Sequence, residues 1–150
     1  MRDHPGVIAP PPLIALASVA AGWLAGFYLP LPLPGWTPWP GAALAVAGLG
    51  LAVWAERTFK AVGTNAMPWR PTTAIATAGP YRLTRNPMYV GLLAAQIGTG
   101  LALRDGWIVL LTLATFALLH TGVVLREEAY LSAKFGAEYD TYRARTRRWL

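Results

Sequence analysis

The sequence predicts an all-α integral membrane protein with about four transmembrane helices, a cytoplasmic linker and a C-terminal helical tail. Three observations carry that expectation. Hydrophobic residues make up 55% of the chain and charged residues only 13%, against about 25% charged in an average soluble domain. The mean hydropathy is +0.38. The apolar residues are also gathered into blocks rather than spread along the chain. At 150 residues the length fits one domain, spanning 1–150, with the candidate chemistry within about 57–150.

Four blocks can be drawn. The first, "LIALASVAAGWLAGFYL" (13–29), lacks the order of a cleavable leader and is expected to be a retained span. The second runs from about Gly41 to Trp54, the third is "MYVGLLAAQIGTGLAL" (88–103) and the fourth is "WIVLLTLATFALLHTGVVL" (107–125). Crossing a bilayer takes about 20 residues, so the first and fourth qualify directly. The second and third are short and rich in Gly and Ala, which predicts close helix packing. The Pro-rich stretches 10–12 and 30–40 punctuate the blocks as loops.

Charge sets an expected orientation. Loop 30–40 is uncharged and the turn "RDG" (104–106) carries only Arg104 and Asp105. Twelve of the thirteen basic residues, from Arg2 through Arg57, Lys60 and Arg70 to Arg148, fall on the other side of a four-span arrangement. The positive-inside rule then puts both termini in the cytoplasm, with a bacterial cytoplasmic membrane as the expected location. The net charge of +6 is read as facing anionic lipid headgroups, not nucleic acid. With no cysteines and two distant histidines, His4 and His120, thiolate chemistry is excluded and a metal site is not expected.

The polar residues concentrate in two places. In "GPYRLTRNPMYVG" (79–91), Asn86–Pro87 starts the third span, since Asn caps helices and Pro suits the first helical position. A helix N-terminus with free amides near Met88 and Tyr89 can hold an anion, although capping alone accounts for the dipeptide. Arg82 and Arg85, taken alone, read most simply as a basic membrane flank. The second concentration is "REEAYLSAKFGAEYDTYRAR", from Arg126. Here Glu127 and Glu128 diverge by about 100° on a helix, so one can face inward and the other solvent. Leu131, Phe135, Tyr139 and Tyr142 form a stripe for packing or for the membrane interface. "RARTRR" (143–148) reads as a headgroup-binding tail. His120 lies about two turns before Glu127 in the last span, where a polar residue is a functional candidate or an interhelical hydrogen-bond partner. An anion-binding helix start beside a carboxylate pair suits a zwitterionic ligand.

These two stretches together resemble the isoprenylcysteine carboxyl methyltransferase and phospholipid methyltransferase superfamily. Its pattern is G-x-Y-x-x-x-R-H-P-x-Y-x-G, then E-E-x-x-L-x-x-x-F-G-x-x-Y-x-x-Y, and the match covers roughly residues 63–145. The resemblance implies an integral membrane enzyme that uses S-adenosylmethionine, its cofactor site formed by the linker and the C-terminal tail. It implies cofactor contacts from Thr73, Ala74, Ile75 and Ala76, then Tyr81, Asn86, Pro87, Met88, Tyr89 and Glu127. It places Arg85, Asn86, Glu127 and Glu128 at the reacting end, and it implies a lipophilic methyl acceptor received from the membrane. Two positions depart from the pattern. Asn86 stands where the family has His and cannot titrate near neutral pH. Val123 stands where members that methylate prenylcysteine carry Arg, which favours a different lipophilic acceptor.

Two other classes make distinct predictions. An NADPH-dependent membrane reductase related to sterol reductases would prefer the nicotinamide cofactor. A non-catalytic four-span protein would bind no nucleotide-derived ligand and would depend on its tail arginines for anionic lipid.

Overall fold

The computed structural model describes residues 5–63 and 72–150, so Arg2, His4 and Arg70 lie outside the described residues. The described chain is helical: α1 (Pro11–Tyr28), α2 (Pro38–Ala61), a 3₁₀ turn (Gly79–Arg82), α3 (Pro87–Leu103), α4 (Gly106–Leu119), a π-helical turn (His120–Val124), α5 (Leu125–Phe135) and α6 (Ala137–Arg145). Three helical stretches are long and apolar enough to cross a membrane: Pro11–Tyr28, Pro38–Ala61 and Gly106–Phe135. Pro87–Leu103 is a shorter apolar helix.

The second element is longer than its apolar block. Pro38 and Pro40 open it, where their missing amides cost nothing. Its far end continues through Glu56 and Lys60, which pair at 2.7 Å one turn apart. The fourth is also longer, because it runs on into α5 through the π turn, where the Leu125 amide donates to His120 O.

α2 and α3 lie in close contact, and glycine makes this possible. A Cβ at Gly48 would stand 2.5 Å from Ala95 N, and one at Gly91 would stand 2.5 Å from Gly48 O. Gly48 and Gly91 therefore form a backbone-to-backbone seam, the small-residue packing expected in lipid. α1 packs on α4, with Gly22 against Ile108. Inside the bundle, the amide of buried Gln96 donates to Ser18 Oγ at 3.0 Å, tying α3 to α1.

The tail departs from a purely helical expectation. Gly136 has φ 52°, a left-handed conformation that separates α5 from α6. After Arg145 the chain extends, and Arg147 forms a parallel bridge with Thr84. Helix gives way there because the segment before α3 offers better partners: the Arg85 amide donates to Arg147 O at 2.8 Å, and Thr84 Oγ1 donates to Arg148 O at 3.0 Å. At this end of the bundle the N-terminal segment also docks, with the Ile8 amide donating to Gly122 O and Arg126 Nη1 to Gly6 O.

Candidate functional site

The start of α3 and the start of α5 face each other across a cleft. Its walls include Phe59 from α2, Ala74, Ile75 and Ala76 from the coil, Tyr81, and Leu131, Tyr139 and Tyr142 from the tail. Arg85, Asn86, Glu127 and Glu128 complete it. The aromatic side chains pack on one another: the Phe59 and Tyr81 rings are 5.0 Å apart, and Tyr139 lies 6.2 Å from Tyr142. Tyr142 Oη donates to Tyr81 O at 2.8 Å, locking α6 to the 3₁₀ turn.

The two carboxylates are in different electrostatic surroundings. Glu128 is buried and held by two arginines. Arg85 Nη2 donates to its Oε1 at 2.9 Å, and Arg148 donates from Nε at 3.0 Å and from Nη2 at 2.9 Å. Arg85 also donates from Nη1 to the carbonyls of Arg143 and Thr146. Glu127 instead accepts from Tyr89 Oη at 2.8 and 3.0 Å. Among the described residues it has no ion pair. The expected division of one inward and one solvent-facing carboxylate is therefore corrected. Glu128 is the more buried of the two, and Glu127 is half-buried on the cleft.

Burial raises the phenol pKa of Tyr81, aided by the Glu127 charge. Burial likewise raises Tyr142, and pushes Tyr139 up to about 12 with a contribution from Glu128. These phenols stay protonated at neutral pH, so they act as walls and hydrogen-bond donors rather than bases. The hydrogen bonds to Glu128 raise Arg148, fixing its cationic form.

Asn86 occupies the capping position of α3 but makes no side-chain cap. Its Nδ2 donates to Arg148 O at 2.8 Å instead. Of the two amides expected to be free, that of Tyr89 bonds to Asn86 O. Several other expected site residues stand behind the cleft. Pro87 is fully buried at the helix start, Met88 packs between two apolar clusters, and Tyr89 positions Glu127. Thr73 Oγ1 donates to Gly63 O at 2.9 Å. His120 sits between Phe116 and Trp149, and accepts a 3.4 Å hydrogen bond from Trp149 Nε1. Val123 is fully buried in an apolar cluster with Tyr89 and Leu119.

Sequence reasoning assigns no site role to Arg148 or Phe59, and Leu131, Tyr139 and Tyr142, read as a packing or interface stripe, line the cleft as well. In the basic run Arg148 reads as a headgroup-binding arginine, yet it is committed to Glu128, while Arg143, Arg145 and Arg147 remain exposed. Its signal was weak: one arginine in a basic run, twenty residues from its partner.

Comparison with known proteins adds three findings. The phospholipid methyltransferase family model matches residues 36–138. The chain is 32% identical over 77 residues to the nickel-cobalt-cadmium resistance protein NccN of Alcaligenes xylosoxydans xylosoxydans, covering 51% of this chain and 36% of that protein. It is 36% identical over 78 residues to the cobalt-zinc-cadmium resistance protein CzcN of Cupriavidus metallidurans, covering 51% and 35% respectively. The chain thus spans about a third of the length of these curated relatives. No solved structure matches it.

Proposed function

The chain belongs to the phospholipid methyltransferase family, and from that premise we propose that it transfers a methyl group from S-adenosylmethionine to a lipid or lipophilic small molecule at the membrane. The observation that carries this reading is Glu127: a carboxylate held from behind by Tyr89, without a cationic partner among the described residues, at the edge of an aromatic cleft. That donor set fits the cofactor. A carboxylate without a counter-ion suits an ammonium or sulfonium, and Phe59, Tyr81 and Tyr139 offer faces for a planar base and a cation. The enclosed volume is only about 60 Å³, below the roughly 300–1,000 Å³ of ligand pockets. Seating a cofactor therefore requires a wall to move outward.

When bound, the cofactor supplies an electrophilic methyl group on a sulfonium. The residues of the chain have the tasks of binding, aligning and drying. Glu127 would hold the cation, and Tyr89 fixes the carboxylate so that little ordering remains to be done on binding. Ile75, Ala76 and Leu131 keep one side of the cleft apolar. Alignment of donor and acceptor alone can lower a barrier by several kcal/mol. Val123, buried among apolar side chains, supports an acceptor without a carboxylate, and Arg126 is engaged with Gly6 O rather than replacing the missing cation. The curated relatives are named for metal resistance. Those names describe the relatives, and the reading of this chain rests on the family match and the cleft at Glu127.

Calorimetry in detergent with S-adenosylhomocysteine tests it. Wild type is expected to bind, with affinity falling at least about ten-fold in Glu127→Ala and by a smaller factor in Tyr89→Phe. Absence of binding to wild type, or equal binding by Glu127→Ala, would overturn the site assignment.

A further inference from the structure

At the end of the bundle remote from Glu127, where α1 and α3 end and α4 begins, a cavity of about 300 Å³ opens beside α1. It is lined by Trp23, Gly26, Phe27, Leu31, Arg104 and Asp105, among others. Its base is rigidly built. The Gly106 amide donates to Leu31 O at 2.8 Å, the Leu33 amide donates to Arg104 O at 3.0 Å, and Pro32 bridges to Asp105.

Three features identify what it would hold. Arg104 adopts a left-handed backbone conformation, φ 57°, and its Nε donates to Leu33 O at 2.9 Å. This orients the guanidinium, whose two Nη groups have neither a hydrogen bond nor an ion pair among the described residues. Next to it, Asp105 uses Oδ1 to cap α4, accepting from the amides of Trp107 and Ile108. Its Oδ2 accepts nothing among the described residues and sits over Gly26, where a Cβ would stand 2.5 Å away. The capping carboxylate also screens the α4 N-terminus, so the anion-binding capacity here belongs to Arg104. Finally, Trp23 and Phe27 are 62% and 73% exposed on the surface of a membrane-crossing helix, running from the cavity toward the bilayer interior.

We propose that this cavity is a phospholipid site, separate from the cleft at Glu127, selective for a headgroup that carries both a phosphate and a primary ammonium. The phosphate pairs with the oriented guanidinium, a geometry Arg provides better than Lys. The ammonium donates to Asp105 Oδ2, and an acyl chain lies along Trp23 and Phe27. Arg104 is the only basic residue among the described residues at this end, so loss of its charge removes the whole anion interaction.

The test is native mass spectrometry of the detergent-purified chain reloaded with equal amounts of phosphatidylethanolamine, phosphatidylcholine and phosphatidylglycerol. Wild type is expected to retain phosphatidylethanolamine preferentially, because the trimethylated headgroup cannot donate to Asp105 and the glycerol headgroup has no cation. Arg104→Gln should lower its retention at least about ten-fold, and Arg104→Lys should recover part of it. Asp105→Asn still caps α4, so it tests the second contact in a folded protein: the preference for ethanolamine over glycerol headgroups should vanish while lipid remains bound. Equal retention of all three lipids by wild type would show bulk lipid only and overturn the proposal. So would unchanged selectivity in both Arg104→Gln and Asp105→Asn.

Discussion

Glu127 and Glu128 are adjacent in the chain, and the fold gives them opposite tasks. Glu128 is neutralised by Arg85 and Arg148, with side chains 9%, 9% and 34% exposed for Arg85, Glu128 and Arg148. Removing one member of a buried pair leaves an uncompensated charge and costs about 3–5 kcal/mol. Glu128→Ala should therefore lower the thermal transition in detergent strongly, because Arg85 loses its counter-ion. Glu127→Ala strands no cation among the described residues and leaves only the Tyr89 hydroxyl without its acceptor, so its transition should fall less than that of Glu128→Ala while S-adenosylhomocysteine binding weakens at least about ten-fold. Equal destabilisation by the two variants would contradict this division. The sequence made the carboxylate pair visible, but not which member is neutralised. That depends on Arg148 arriving from twenty residues away, an encounter no helical periodicity encodes. Asn86 is similar: its type marks a cap, yet its amide is drawn to Arg148 O because the extended tail passes within reach.

Among the helices, the blocks themselves were legible because membrane burial demands long apolar stretches. Their ends were less so. α2 begins at Pro38 and closes with the Glu56–Lys60 pair, residues that look like loop in a hydropathy profile but are compatible with helix once α3 supports them. The close packing of the second and third spans could be anticipated from their glycines, and the seam at Gly48 and Gly91 bears that out. This interface is a sensitive one. A side chain at Gly48 meets the backbone of α3, not the movable end of another side chain, so relief requires the helices to separate. Overpacking of a core costs roughly 1–3 kcal/mol, and here the obstacle is main chain. Gly48→Leu should reduce the yield of monodisperse protein and lower the thermal transition. Leu49→Ala, at an exposed neighbouring position, should leave both near wild type.

Across the whole molecule, the two ends of the described chain dock at the end of the bundle that holds the cleft. The N-terminal segment binds Gly122 O and Arg126, and the C-terminal segment joins the start of α3. Hydropathy could not reveal this closure, since residues 146–150 have neither helical periodicity nor a long apolar run. The closure makes the tail part of the site. Carbonyls of Arg143, Thr146, Arg147 and Arg148 receive Arg85 and Asn86, and the Arg148 side chain neutralises Glu128. Deleting residues 146–150 would leave Asn86 Nδ2 and the Arg85 amide without their acceptors and Glu128 without Arg148, while the apolar helices keep their contacts in the bilayer. The shortened chain should retain its far-UV circular dichroism and its membrane insertion, yet lose S-adenosylhomocysteine binding, because Asn86 is no longer held at the cleft and Glu128 keeps only Arg85 as its counter-ion. Arg148→Ala in the full chain isolates the charge from the backbone contacts and should weaken binding less than the deletion does. If the deleted chain bound the ligand as wild type does, the tail would be a membrane-facing extension and the site would be complete without it.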